Sequence, residues 1–243
     1  MPMNDVIEVV AFDGDDTLWH NESVFNVTQD RFRELMLPYV EERDLDEQLL
    51  AVQMRNLELF GYGVKSFTLS MIETAIELSA GKIAGSEVQT IIEAGRAMLQ
   101  HPVELLFGVA DAVDAVSATH PVMLITKGDL FDQESKLARS GLGDRFERVE
   151  IVARKDEPTY ERVLRRHELD PARFLMVGNS PRSDVAPVLA LGGWAVHVPY
   201  PLTWAHEEDV DEAWLVSHPR YRSIATLDEL PALLTEIEGD GGT

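Results

Sequence analysis

The first strongly patterned stretch is residues 6–12, Val-Ile-Glu-Val-Val-Ala-Phe, a short β-branched run that stops at an acidic cluster bearing a glycine. Such a run reads as a buried strand whose carboxyl end opens onto a site. From about residue 22 to residue 101 the spacing becomes helical, with Phe25, Thr28, Phe32, Leu35, Met36 and Tyr39 on one face and no strand-like run between them. Four helices are predicted there. Gly61 and Gly63, then Gly81, then Pro102 mark their stops, and Ser66 and Ser86 are the expected N-caps.

After Pro102 the pattern alternates. A helix is predicted around 109–119, a strand over 121–125, a helix from 130 to 140 closed by Gly141, and a strand over 149–152. A helix near 157–168, a strand over 173–177, a helix through 185–191 and a strand over 194–198 follow. Strands alternating with helices indicate a parallel sheet covered on both faces. Residues 20–101 therefore read as a helical insertion into an α/β core made of residues 1–19 and 102–243. The glycine-rich end, Gly239-Asp240-Gly241-Gly242, is expected to fray.

Composition narrows the function classes. The 243 residues carry 21 basic and 43 acidic side chains, a formal charge of −22, which repels nucleic-acid backbones and anionic membranes. An anionic substrate must then find its positive partners locally. There is no cysteine, so disulfides, thiolate nucleophiles and thiolate zinc sites are excluded. No stretch approaches the roughly 20 apolar residues of a membrane span, and Met1-Pro2-Met3-Asn4-Asp5 has no signal-like pattern. A cytoplasmic protein is expected, with no nucleic-acid or membrane partner and an oligomeric state the sequence leaves open.

In an open parallel sheet, ligands bind beyond the carboxyl ends of the strands. Those ends deliver Asp13 and Asp15, then Thr126-Lys127-Gly128-Asp129, then Arg154-Lys155, then Gly178-Asn179-Ser180 with Ser183-Asp184 beyond. Phosphoryl transfer needs a nucleophile in line with the leaving oxygen and positive charge on the equatorial oxygens, and this inventory supplies both. Two carboxylates two residues apart divide nucleophile from acid if the chain bends at Gly14. Ligands that are all oxygen suit a hard cation, and Mg²⁺ is the expected cofactor. An EF-hand reading of Asp13-x-Asp15-x-Thr17 fails, because the sixth loop position is Leu18 and the twelfth Val24. His206-Glu207-Glu208-Asp209 lacks the second histidine of a zinc helix.

Phe12-Asp13-Gly14-Asp15-Asp16-Thr17-Leu18 resembles the first motif of the haloacid dehalogenase-like hydrolases, and the resemblance extends along essentially the whole chain. Thr126, Lys155 and the run Gly178–Asp184 stand where that family has its second, third and fourth motifs. The resemblance implies a doubly wound, Rossmann-like α/β core with an inserted α-helical cap domain of the family's first type. It implies that Asp13 attacks phosphorus, Asp15 protonates the leaving alcohol and later activates water, Thr126 binds a phosphoryl oxygen and Lys155 neutralises charge. Magnesium would be held by the Asp13 carboxylate, the Asp15 carbonyl and the fourth motif, through Asp184 with Asn179 adding an amide oxygen or a water bridge. The chain departs from the family pattern twice. Asp16 stands where glycine is common, so it either faces solvent or crowds the metal site, and Asn179 stands where aspartate is common.

The expected function is Mg²⁺-dependent hydrolysis of a small phosphate ester. A phosphomutase, or a binding protein derived from the scaffold, is the alternative; a dehalogenase would not need Asp15. The segment Gly61-Tyr62-Gly63-Val64-Lys65 is either a substrate-specificity loop, with Tyr62 and Lys65 as substrate ligands, or an ordinary turn between helices. Lys127 and Arg154 are further candidates for holding substrate.

Overall fold

The computed structural model describes residues 6–40, 42–204, 207 and 209–240. His206, Glu208 and the terminal Gly241-Gly242 lie outside these. The described chain contains β1 (Val9–Phe12), four successive helices α1 (Glu22–Met36), α2 (Glu42–Phe60), α3 (Val64–Leu78) and α4 (Gly85–Gln100), then α5 (Val109–Ser117) and β2 (Val122–Lys127). It continues through α6 (Leu130–Ser140), β3 (Arg148–Val152), α7 (Glu157–Arg166), β4 (Phe174–Gly178), a wide turn over Pro181–Val185, α8 (Ala186–Ala190) and β5 (Trp194–His197). It ends with α9 (Glu212–Ser217), β6 (Tyr221–Ser223) and α10 (Leu230–Asp240). By internal contacts the residues group into two compact units, one of Met1–Glu22, Val103–Lys127 and Glu134–Thr243, the other of Ser23–Pro102 and Gly128–Gln133.

The first unit is built on a six-stranded sheet of order β3-β2-β1-β4-β5-β6, parallel throughout. Strand side chains alternate between faces, so Val10, Phe12, Leu124, Leu175 and Val177 pack with Val113 of α5 and Leu234 of α10. Val9, Ala11, Met123, Ile125, Phe174 and Met176 point the other way, onto Tyr160, Val163 and Leu164 of α7. Both faces are covered, which is why β1, β2 and β4 are near-continuous apolar runs. β6 has only three residues, Tyr221-Arg222-Ser223, too short and too polar to stand out in the sequence.

The order in which strands are added reverses at β1, with β2 and β3 laid to one side and β4, β5 and β6 to the other. Such a switch point opens a crevice at the carboxyl edge. Register fixes what meets there: Phe12 pairs with Leu124 and with Val177, so Asp13 emerges level with the residues just before Thr126 and just after Val177.

The helical unit has its own core of Phe32, Met36, Leu45, Leu49, Phe67, Met71 and Ile91. The helical stripe read from Phe25 to Tyr39 faces this core, with Thr28, Phe32 and Met36 buried. The expected N-caps are corrected. Gly63 caps α3 and Ala84 caps α4, leaving Ser66 and Ser86 inside their helices, where each hydroxyl-bearing residue sits in the first turn. At α4 the alanine cap offers no side-chain acceptor, and only the return contact of a capping box is made, Glu87 Oε2 accepting from the Ala84 N–H at 2.8 Å. Residues 128–133 group with this unit rather than with the core, and within it Asp129 accepts a hydrogen bond from Lys65 Nζ at 2.9 Å.

α1 starts by an unusual device. Asp16 has φ 63°, a left-handed conformation that aspartate tolerates better than most residues, and this explains why glycine also suits the position. Its Oδ1 accepts from the backbone N–H groups of Asn21 and Glu22 at 2.9 and 3.0 Å. The carboxylate is buried, so it does not face solvent, and both its oxygens are directed to the start of the helix. Replacing Asp16 with alanine removes these bonds and leaves an L-residue at positive φ, a loss of about 2–3 kcal/mol. Asp16→Gly relieves the backbone and should cost about 1 kcal/mol. Urea denaturation checks this ranking, and an alanine variant as stable as the glycine variant would contradict it.

Candidate active site

Asp13 follows β1 directly, and its N–H donates to the Val177 carbonyl at 2.9 Å, which ties the first residue of the loop to β4. The loop then turns back sharply: Leu18 N–H donates to the Gly14 carbonyl at 2.8 Å and Asp16 N–H to the Trp19 carbonyl at 2.7 Å. Gly14 is required by crowding, since a Cβ there would lie 2.8 Å from the Trp19 ring and 3.2 Å from Thr126 Oγ1. The same contact places Thr126, fully buried at the end of β2, against the loop.

Lys155 reaches this point from β3. It immediately precedes Asp156, the N-cap of α7, whose carboxylate accepts from Thr159 N–H at 3.0 Å with Pro158 in the first turn. The Lys155 ammonium donates to Asp13 Oδ1 and, at 2.6 Å, to Asp184 Oδ1. Asp184 comes from the turn after β4. Ser180 starts that turn by accepting from Ser183 N–H at 2.9 Å, and Ser180 N–H donates to Asp184 Oδ2, also at 2.9 Å. The carboxylate folds back over Gly178, where any Cβ would lie 2.3 Å from its carbon. Thr17 Oγ1 donates to Asp13 Oδ2 at 3.1 Å and accepts from Asn179 N–H at 3.0 Å, linking the first and fourth strand ends. The Asn179 amide nitrogen is taken by Thr203 at 3.2 Å, which orients its oxygen toward Thr17.

Electrostatically the centre holds two carboxylates against one ammonium. Burial pushes Asp13 up to about 7, opposed by Lys155 and reinforced by Asp184. Burial also works against the Lys155 charge, but Asp13 and Asp184 outweigh it and raise the lysine above its ordinary value. Tyr160, whose hydroxyl donates to the Ser183 carbonyl at 3.0 Å, is raised by burial and by the same carboxylates and stays a neutral phenol.

Asp15 points elsewhere. Its Oδ1 accepts from Trp19 Nε1 at 2.6 Å, and both oxygens accept from Lys136 Nζ of α6, at 2.9 and 3.1 Å. The side chain keeps 23% of its surface exposed, against 8% for Asp13. Two carboxylates two residues apart thus occupy different environments.

Asp13, Thr126, Lys155, Asn179 and Asp184 converge as the sequence pattern predicts, with Asp15 at the same loop. Lys127 is placed differently from the expectation that it holds substrate. Its ammonium lies 2.6 Å from Glu207 Oε1 and donates to Ser183 Oγ at 2.9 Å, so it braces the turn after β4. Burial would raise Glu207, but Lys127 and the Ser180 and Ser183 hydroxyls pull it down to about 2. Arg154 is exposed. Lys65 pairs with Asp129 and lies 5.8 Å from the centre of the Phe131 ring, inside the helical unit, while Tyr62 is half-buried in the turn between α2 and α3. Sequence reasoning missed Trp19, Lys136 and Glu207. Nothing in the sequence singles out Lys136, because the reversed polarity of α6, with Leu130 and Phe131 exposed and Asp132 and Gln133 buried, shows only in the structure.

The fold and these motifs agree with comparisons across known proteins. No curated protein matches the chain. A haloacid dehalogenase-like hydrolase of Xanthomonas campestris has 46% sequence identity over 98% of this chain and 94% of its own, with a TM-score of 0.87. A 2-haloacid dehalogenase of Pseudomonas syringae shares the fold at 21% identity, covering 95% of this chain and 99% of its own with a TM-score of 0.63. A predicted phosphoglycolate phosphatase of Haemophilus somnus does so at 14% identity, covering 93% and 97% with a TM-score of 0.63. The model of one family, haloacid dehalogenase-like hydrolase, matches residues 7–192, from just before β1 to the turn before β5, and so covers the carboxyl ends of β1, β2, β3 and β4. The chain belongs to the haloacid dehalogenase-like hydrolases.

Proposed function

We propose that this hydrolase is a Mg²⁺-dependent phosphatase that cleaves a small phosphorylated metabolite through a phosphate ester on Asp13, with the helical unit as its substrate-selecting cap domain. The observation that carries the reading is the divided pair of carboxylates. Asp13 is buried beside Lys155 and Asp184, where a bound cation would hold it ionised for attack, and Asp15 at the bend of the same loop keeps part of its surface exposed, where a leaving group can reach it. Displacement of halide from carbon needs no proton donor, so a dehalogenase leaves Asp15 without a task. The dehalogenase and phosphatase neighbours below 25% identity share the fold alone and do not decide between the chemistries.

In this reading an Asp13 oxygen attacks phosphorus, the bond from phosphorus to the ester oxygen breaks, and Asp15 delivers a proton to the departing alcohol. Thr126 donates to a phosphoryl oxygen and Lys155 balances charge between nucleophile and phosphate. Asp15, now ionised, takes a proton from the water that attacks the aspartyl phosphate, which returns Asp13 and free phosphate.

The donor set fits magnesium. Among the described residues no group of three or more His, Cys, Asp or Glu side chains is arranged to hold a metal. Asp13 and Asp184 supply two carboxylates, Asp15 a backbone carbonyl and Asn179 an amide oxygen, which matches an ion that binds through one or two carboxylates and leaves the rest of its shell to water and phosphate. When bound, Mg²⁺ would supply positive charge to the phosphoryl oxygens. The excess negative charge at Lys155 points the same way.

Phosphate release from a panel of phosphate esters should require Mg²⁺, and Asp13→Asn should lower turnover at least about a thousandfold. Halide release from 2-haloacids without phosphate release would overturn the reading. A second outcome concerns pH. Burial raises Asp13 and Glu22 to about 7 and Asp16 to about 6, from ordinary values of 3.8, 4.5 and 3.8. Carboxyls raised by folding bind their protons more tightly in the native state, so stability from them is present at low pH and lost as pH rises through 6 to 7. Metal-free protein should therefore melt lower at about pH 8 than at about pH 5, and Mg²⁺ should raise the melting temperature more at the higher pH. Equal Mg²⁺ shifts at both would contradict the Asp13 assignment.

A further inference from the structure

Lys136 lies outside the four strand ends and has no part in the chemistry above, yet it is among the most constrained cations in the core unit. Its side chain is 13% exposed, and its ammonium donates to Asp15 Oδ1 at 2.9 Å, to Asp15 Oδ2 at 3.1 Å and to Asn21 Oδ1 at 2.8 Å. Holding a long lysine side chain in one rotamer costs conformational entropy, so the geometry is not the default for a surface lysine. Trp19 adds a further contact, its Nε1–H donating to Asp15 Oδ1 at 2.6 Å. The indole is fully buried and packs over Gly14, so it is a fixed donor. Asn21 is anchored in turn, since its N–H donates to Asp16 Oδ1.

We propose that Lys136 is a positioning residue for Asp15, which with Trp19 and Asn21 sets the direction in which the Asp15 carboxyl meets the leaving-group oxygen. The proposal rests on the phosphatase reading and deepens it. The indole holds Oδ1 alone and leaves Oδ2 without a contact from that side chain. Lys136 contacts both oxygens and so braces the plane of the carboxyl at two points, which matters because proton transfer requires hydrogen-bond reach of a defined atom. Lys155 has the parallel task at Asp13, so each catalytic carboxylate has its own lysine.

The test uses leaving groups of different basicity. An alkyl phosphate needs a proton on its departing oxygen, whereas p-nitrophenyl phosphate departs as a stable anion. With Lys136→Met, kcat/KM for the alkyl ester should fall about tenfold or more and that for p-nitrophenyl phosphate less than about threefold, with Lys136→Arg recovering part of the loss. Asn21→Ala should show the same selectivity more weakly, and it serves in place of the methionine variant should that fail to fold. Equal losses on both esters in variants of unchanged melting temperature would overturn the role of Lys136 while leaving the phosphatase reading intact. No phosphate release by the unaltered protein would overturn both.

Discussion

A lysine with 1% of its side chain exposed does not keep its charge unless something nearby compensates the lost hydration. Lys155 keeps it because Asp13 and Asp184 reach it from two different strand ends, and those carboxylates stay buried only because Lys155 is there. Breaking such a pair by removing one partner leaves an uncompensated buried charge. The rest of the site follows from this contact. It requires β1 beside β4, β3 close enough to send Lys155 inward, and a turn after β4 that returns Asp184 toward the sheet. Even Gly178 is explained, because the Asp184 carboxylate occupies the space a side chain would take.

The second consequence is a division of labour enforced by burial. Asp13 and Asp15 are separated by one glycine, yet the bend at Gly14 turns the first toward Lys155 and the second toward Trp19 and Lys136. The two differ in exposure and in partners, and the separate roles proposed for them rest on that difference. Thr17 and Asn179 stiffen the loop from the β4 side, and Lys127 with Glu207 stiffens the turn that carries Asp184. Thr17, Asn179, Lys127 and Glu207 thus hold the geometry around the two carboxylates.

Much of this was legible from the chain. The apolar run 6–12, the alternation after Pro102 and the ordered residues Asp13, Thr126, Lys155 and Asp184 predicted the parallel sheet and the residues at its edge. Strand ends are legible because buried strands are apolar and their polar terminators stand out. What was not legible came from partners distant in sequence that have no pattern of their own. Lys136 meets Asp15 across 121 residues and Ser183 meets Glu207 across 24, and neither separation follows a periodicity. Asp16 was misread for a local reason: its side chain reaches the start of a helix five residues on, and only the positive φ makes that geometry available. The β6 strand was missed because three residues give no periodic signal.

The acidity of the chain raised the question of how an anionic substrate finds positive charge, and the structure sharpens it. Lys155 is paired with Asp13 and Asp184, Lys136 with Asp15, and Lys127 with Glu207. Each of these three ammonium groups is already matched by at least one carboxylate, so together they add no net positive charge for a phosphate. Two remedies remain: exchange of an internal carboxylate for the substrate at a lysine, or a further cation. Exchange would expose a buried carboxylate without its partner, at a cost of several kcal/mol. A divalent ion held by Asp13 and Asp184 would avoid that cost, because it would neutralise the excess carboxylate and still offer charge outward. On charge balance alone, the lysines of this site shape its carboxylates, and in the phosphatase we propose the work of attracting phosphate would fall to the metal.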